Sequence, residues 1–128
     1  MKQSLRETGG LVFNQASTGL YVERLLVRLG LAEELKPRIT RYPDGAAVME
    51  HLLKGTGPEI GAGAITEILL YRDRGLRFVG PLPPEVQNYT TYAASVLKTA
   101  VEADASRGFV GFLSTPAARA LFAANGID

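Results

Sequence analysis

Three short segments carry backbone and side chains suited to holding a small anion. They are Phe13-Asn14-Gln15-Ala16-Ser17-Thr18-Gly19, Gly61-Ala62-Gly63-Ala64 and Gln87-Asn88-Tyr89-Thr90-Thr91-Tyr92. Each falls where a buried strand is expected to hand over to a small, polar, glycine-tolerant turn. Such turns present backbone N–H groups at helix starts, which bind anions without any cationic side chain. A dianion at Ser17 and Thr18 takes N–H and hydroxyl hydrogen bonds plus the helix dipole, the dipole alone contributing about 0.3–2 kcal/mol. Taken singly, each segment has a plainer reading. Ser17 or Thr18 serves as an ordinary helix cap, the glycines at 61 and 63 as tight strand–helix packing, and Tyr92 as a core tyrosine.

Catalytic chemistry finds no comparable set. A hydrolase triad needs a base, and the single histidine, His51, falls mid-helix beside Leu52 and Leu53 with no serine near it in sequence, the setting of a structural or surface histidine. The acidic neighbours Glu33-Glu34 follow a helix in a loop, and Glu102 and Asp104 surround a helix start, so solvated helix-terminal charge accounts for both. Neither a GxGxxG nor a GxxxxGK[ST] pattern occurs. With no cysteine, thiolate metal sites, Cys/His nucleophile pairs and disulfides are all excluded. The sequence offers no catalytic residue, no metal ligand set and no reason to expect a cofactor.

A chain of 128 residues, 46% apolar and 21% charged, fits one globular domain with a real core. The formal net charge of +1 gives no footprint for nucleic acid. No apolar run reaches the length of a membrane span, and residues 1–8 lack the apolar stretch of a signal peptide.

The elements that must position the three segments follow from periodicity. Residues 1–10 are polar, end in Gly9-Gly10 and read as a tail or linker remnant. Leu11-Val12-Phe13 predicts a buried strand, followed by a helix with Val22, Leu25, Leu26 and Leu29 on its inner stripe and Gly30 as its left-handed cap. Residues 39–42 predict a second strand, and Pro43-Asp44-Gly45 starts a helix that buries Val48, Leu52 and Leu53 and stops at Gly55. Residues 59–63 predict a third strand, residues 65–71 a short helix and residues 76–79 a fourth strand. Gly80-Pro81-Leu82-Pro83-Pro84 is a stiff link, and residues 89–97 read as a long strand. Two helices close the chain, one over residues 103–113 burying Phe109, Val110 and Leu113, one capped by Thr115 with Pro116 first, Leu121 and Phe122 inside and Gly126 as its stop. This alternation predicts an α/β unit of α/β/α type with a mainly parallel sheet. In such sheets ligands bind beyond the carboxyl ends of the strands, where strand order reverses.

From residue 11 to residue 128 the chain resembles the second lobe of a type II periplasmic substrate-binding protein, most closely the molybdate-binding proteins of ABC transporters. The resemblance is carried by Thr18-Gly19-Leu20-Tyr21, Leu29-Gly30-Leu31, Lys36-Pro37, Gly61, Gly80-Pro81-Leu82-Pro83, Asn88-Tyr89-Thr90-Thr91-Tyr92 with Val96-Leu97, residues 109–114, Pro116-Ala117-Ala118-Arg119 and Asn125-Gly126-Ile127. It implies one lobe of a hinge-bent, periplasmic receptor that closes on a tetrahedral oxyanion such as molybdate or tungstate and delivers it to an ABC transporter permease. By position, Thr18 is implied to offer its N–H at the helix start, Gly63 a backbone contact and Tyr92 a hydroxyl donor, with Ser17 adjoining. Where the family carries a Tyr/Ser-Asp pattern, this chain reads Ala64-Ile65-Thr66-Glu67.

The family's first lobe has no counterpart in this sequence, so the expectation is a fragment or truncated homologue whose isolated half-site binds weakly. An unpaired edge at residues 89–97 is expected to promote self-association or domain swapping. The alternative is a ligand-sensing effector domain of a transcriptional regulator, of the kind found in LysR-type proteins, although no basic recognition helix is present. An enzyme is the third reading.

Overall fold

Gly10–Asn14 (β1) is enclosed along its whole length in the computed structural model, which describes residues 1–55 and 57–127. It is the middle of a three-stranded parallel sheet, flanked by Ile39–Tyr42 (β2) and Glu59–Ala62 (β3). Leu11 pairs with Ile39 and Ile60, and Phe13 with Arg41 and Ala62. A central parallel strand is covered on both faces and needs apolar side chains pointing both ways. Leu11 and Phe13 meet Val22 and Leu26 of Ser17–Leu29 (α2), together with Leu31 and with Leu35 of Ala32–Leu35 (α3). Val12 meets Val48 and Met49 of Gly45–Leu53 (α4) on the opposite face, where Ile68 and Tyr71 of Ile65–Tyr71 (α5) also pack. The result is the expected helix–sheet–helix layering of an α/β fold.

Before β1, Lys2–Glu7 (α1) lays Leu5 against the α2 side of the core. Thr8, buried at the start of β1, places its Oγ1 2.8 Å from the carbonyl of Gly10 and 2.9 Å from that of Pro58. Arg38 Nη1 donates to the carbonyls of Arg6 and Thr8. Gly30 ends α2 at φ 70°, the left-handed conformation that favours glycine. Asp44 caps α4 through Oδ1, which accepts from the Ala47 N–H at 2.8 Å.

The strand order β2-β1-β3 decides where a ligand crevice can form. The chain leaves β1 through α2 to reach β2, then passes through α4 to the other side of β1 to reach β3. Connections therefore diverge at the carboxyl ends of β1 and β3. There α2 departs on one face of the sheet and α5 on the other, because they pack against opposite side chains of β1. That divergence is the switch point at which open α/β sheets bind ligands.

The chain divides into two compact units, Met1–Asn88 and Tyr89–Asp128. In the first, a single turn at Pro84–Val86 is tied to α2 by the Tyr21 hydroxyl, which donates to the Val86 carbonyl at 2.6 Å. The second holds Ala103–Leu113 (α6) and Pro116–Ala124 (α7), which pack on each other. Thr115 caps α7 and Pro116 opens it. Within α6, a side chain built on Gly108 meets nothing within 4 Å. Gly108→Ala is therefore expected to stabilise that helix by about 0.5–1 kcal/mol through backbone entropy alone, read as a higher thermal midpoint by circular dichroism.

Several sequence expectations are corrected. Residues 76–79 and 89–97 form no β pairing; the sheet stops at three strands, and Leu76 instead packs beside Val48 and Met49. β-branched and aromatic content predicts a strand only where a neighbour supplies the hydrogen bonds, and the described residues supply none there. Glu33 and Glu34 lie in the short helix α3, at its first turn where the dipole favours acids, not in a loop. Phe109 and Leu121 are exposed, at 62% and 61%, because α6 and α7 have more apolar surface than they bury between them.

Candidate functional site

At the carboxyl end of β1 the chain turns through Gln15 and Ala16 into α2. Ser17 and Thr18 were expected to cap that helix. They do not: Ala16 is the capping residue and makes no side-chain cap. The cap comes from the strand. Asn14, only 5% exposed, directs Oδ1 at the Gly19 N–H, 2.9 Å away. Gly19 lies so close to the end of β1 that a Cβ on it would stand 1.7 Å from the Asn14 carbonyl oxygen. Thr18-Gly19, the pair that most marked this segment in the sequence, is thus explained by contact between helix and strand end. The consequence is electrostatic. Gly19 is satisfied internally, while the N–H groups of Ser17 and Thr18, the first two of α2, take no acceptor among the described residues. Orphan donors at the positive end of a 13-residue helix have hydrogen bonds to give to an acceptor.

Gly63 follows β3 directly. Phe13 pairs with Ala62, so Asn14 and Gly63 are the next residues along neighbouring strands. The parallel register thereby brings the Ser17–Thr18 turn and the Gly63 turn to adjacent strand ends. A Cβ at Gly63 would approach Met49 Cε to 2.7 Å, so the glycine leaves its backbone accessible where a larger residue would crowd the α4 layer. Ala64 caps α5 without a side-chain bond. Tyr92, the fourth expected contact, belongs to the second unit, where it is 68% exposed on an irregular segment.

The arginine beside this wall is held in an ion pair. Arg41, beside Phe13 in β2, gives Nη1 to Glu23 Oε1 at 2.6 Å and sets Nη2 3.4 Å from the Asn14 carbonyl. Its guanidinium carbon also lies 5.5 Å from the centre of the Phe13 ring. Glu23 neutralises it, and the guanidinium braces α2 against β1. The Arg41 Nε is buried without an acceptor among the described residues, and the other donors of this wall are peptide N–H groups and hydroxyls.

His51 has a structural place. Its Nδ1 is 2.8 Å from the Tyr42 hydroxyl and its Nε2 3.0 Å from both carboxylate oxygens of Glu59, joining α4 to β2 and β3. Elsewhere, Arg74 donates to both oxygens of Glu50 at 2.7 and 3.2 Å. These hydrogen bonds hold the Glu50 carboxyl below its usual range and the guanidinium above its own, on a surface where such pairs contribute little. Among the described residues, no three His, Asp or Glu side chains gather where they could hold a metal ion. A groove within the second unit is lined by Leu97, Phe109, Val110 and small residues without a charge, a lining for apolar contact and not for an anion.

Against known families, residues 11–128 match the family model of bacterial extracellular solute-binding proteins. The chain belongs to that family. Comparison with curated proteins gave no match, and neither did comparison with solved structures. Membership makes this solute-binding protein a binding component of an ABC-type transport system, whose partners are a small solute and a permease. The match begins at residue 11, one residue into β1, and runs through α7.

What the sequence missed here was Asn14. It was read as part of the strand-to-turn segment without a role. The signal was present in principle: a strand-terminal Asn five residues before a glycine in the first helical turn can cap that turn, as short amides do.

Proposed function

We propose that this solute-binding protein supplies one wall of an interlobe cleft that binds a small tetrahedral oxyanion of the molybdate or tungstate type. Ser17 and Thr18 contribute N–H and hydroxyl donors and Gly63 a backbone contact. The observation that carries this reading is the pair of unpaired N–H groups at the start of α2, set at the switch point beside Gly63, with Arg41 of the neighbouring strand paired to Glu23. A first lobe covers the other face of the anion, and a periplasmic receptor of this kind hands its solute to a permease. Exclusion of water strengthens each of those hydrogen bonds, so the isolated chain binds far more weakly than the closed receptor.

Isothermal titration of the chain with molybdate, tungstate and sulfate tests this. The expected result is weak, saturable binding that tightens when a first lobe is restored. No binding of any of the three after that restoration sinks the oxyanion reading, and tight binding by the chain alone sinks the requirement for a second lobe.

A further inference from the structure

We infer that Asn14 is a ligand-binding residue of the same crevice, donating through Nδ2 to the bound anion while Oδ1 holds α2 in place. This rests on the oxyanion reading above and adds to it a contact that neither motif nor family match assigns.

The orientation of the amide is fixed by chemistry. Its neighbour at 2.9 Å is an N–H donor, so the atom facing Gly19 must be the oxygen. The nitrogen then occupies the other arm of the same planar group. Asn14 as a whole is 95% buried, being 5% exposed. Yet Nδ2 has no acceptor among the described residues, and it is not one of the polar atoms sealed away from solvent. A residue so nearly enclosed, whose amide nitrogen reaches solvent but no protein acceptor, keeps two N–H donors for a solute. Asn14 is the last residue of the central strand, and the turn that follows it leads to two other unpaired donors, the N–H groups of Ser17 and Thr18. Three neutral donors from one strand end and one helix start suit an acceptor-only solute. A protonated anion, which must also give a hydrogen bond, fits this arm poorly.

The distinguishing substitution is Asn14→Asp. A carboxylate still accepts from the Gly19 N–H, so the cap and the seating of α2 survive, but the donor is replaced by a negative charge. Molybdate affinity, measured by titration on the full chain, is expected to fall at least tenfold, which is about 1.4 kcal/mol. Affinity for inorganic phosphate should fall less, because hydrogen phosphate can donate to the new carboxylate. A purely structural role for Asn14 does not shift that ratio. A second measurement needs no variant: in the nitrogen-labelled wild-type chain, the Asn14 side-chain NH₂ resonances should move with added molybdate along the same saturation curve as the Ser17 and Thr18 amides. Backbone amides that titrate while the Asn14 NH₂ stays still overturn the inference and leave the oxyanion reading standing. If neither set moves up to saturating molybdate, even with a first lobe present, both fall together.

Discussion

Gly19→Ala is expected to destabilise the protein by about 2 kcal/mol or more. Alanine is normally the better helix residue, by about 1 kcal/mol, so the sign itself is informative. The cost arises from where the new methyl goes. It would stand 1.7 Å from the Asn14 carbonyl oxygen and 2.7 Å from the carbonyl carbon, both backbone atoms of the central strand. Neither can swing aside like a side chain, so α2 must lift from the end of β1. Overpacking of this kind costs about 1–3 kcal/mol and sometimes more, and backbone overlap belongs at the upper end. Lifting α2 also lengthens the Asn14–Gly19 hydrogen bond and moves the Ser17 and Thr18 donors away from the Gly63 turn. Gly61→Ala is the internal comparison. Its methyl meets Leu52 Cδ1 at 2.2 Å, the end of a flexible side chain on a half-buried residue, and a smaller loss is expected. Urea denaturation of the two variants checks the order. Equal stability of Gly19→Ala and wild type would show that helix and strand end are not in contact.

The first half of the fold was legible because its signals agree. Leu11-Val12-Phe13 is short, apolar and β-favouring, Gly30 and Gly55 mark helix stops, and Asp44 sits just before a helical stripe; the structure uses each of these as its chemistry suggests. The parallel sheet followed from alternation alone. The second half misled for one physical reason. Strand and helix-face assignments presume a covering neighbour, and residues 89–97, Phe109 and Leu121 have none among the described residues. At the candidate site, residue type revealed that Ser17, Thr18 and Gly63 occupy strand ends, but not how the turn is built. Hydroxyl residues beside a helix start look like caps, whereas the cap here comes from Asn14, four residues before Thr18 and on a different element. Distance along the chain conceals that bond; only the tight seating of Gly19 on β1 creates it.

The same logic makes Phe13→Ala the most damaging single substitution among those considered, with Phe109→Ala as its counterpart. Phe13 is 0% exposed and packs with Leu11, Val22, Leu26, Leu31 and Leu35. Its removal empties the centre of the layer that joins α2 and α3 to the sheet and strips the surface on which Arg41 rests. Burying a phenylalanine and then truncating it costs about 3–5 kcal/mol, part lost transfer energy and part cavity. Domains of this size have only about 5–15 kcal/mol in total, so the variant is expected to unfold at markedly lower urea and to show loosened near-ultraviolet dichroism. Phe109→Ala removes the same atoms from a ring that is 62% exposed, and stability should change by no more than about 0.5 kcal/mol, the usual range for surface sites. The comparison separates two meanings of an apolar residue that the sequence treats alike. A loss at Phe109 as large as that at Phe13 would mean that α6 is covered in solution, by another copy or by a segment beyond this chain. A neutral result, with Phe13→Ala crippled, places the folding energy of the described chain in the α/β layers that carry Ser17, Thr18 and Gly63.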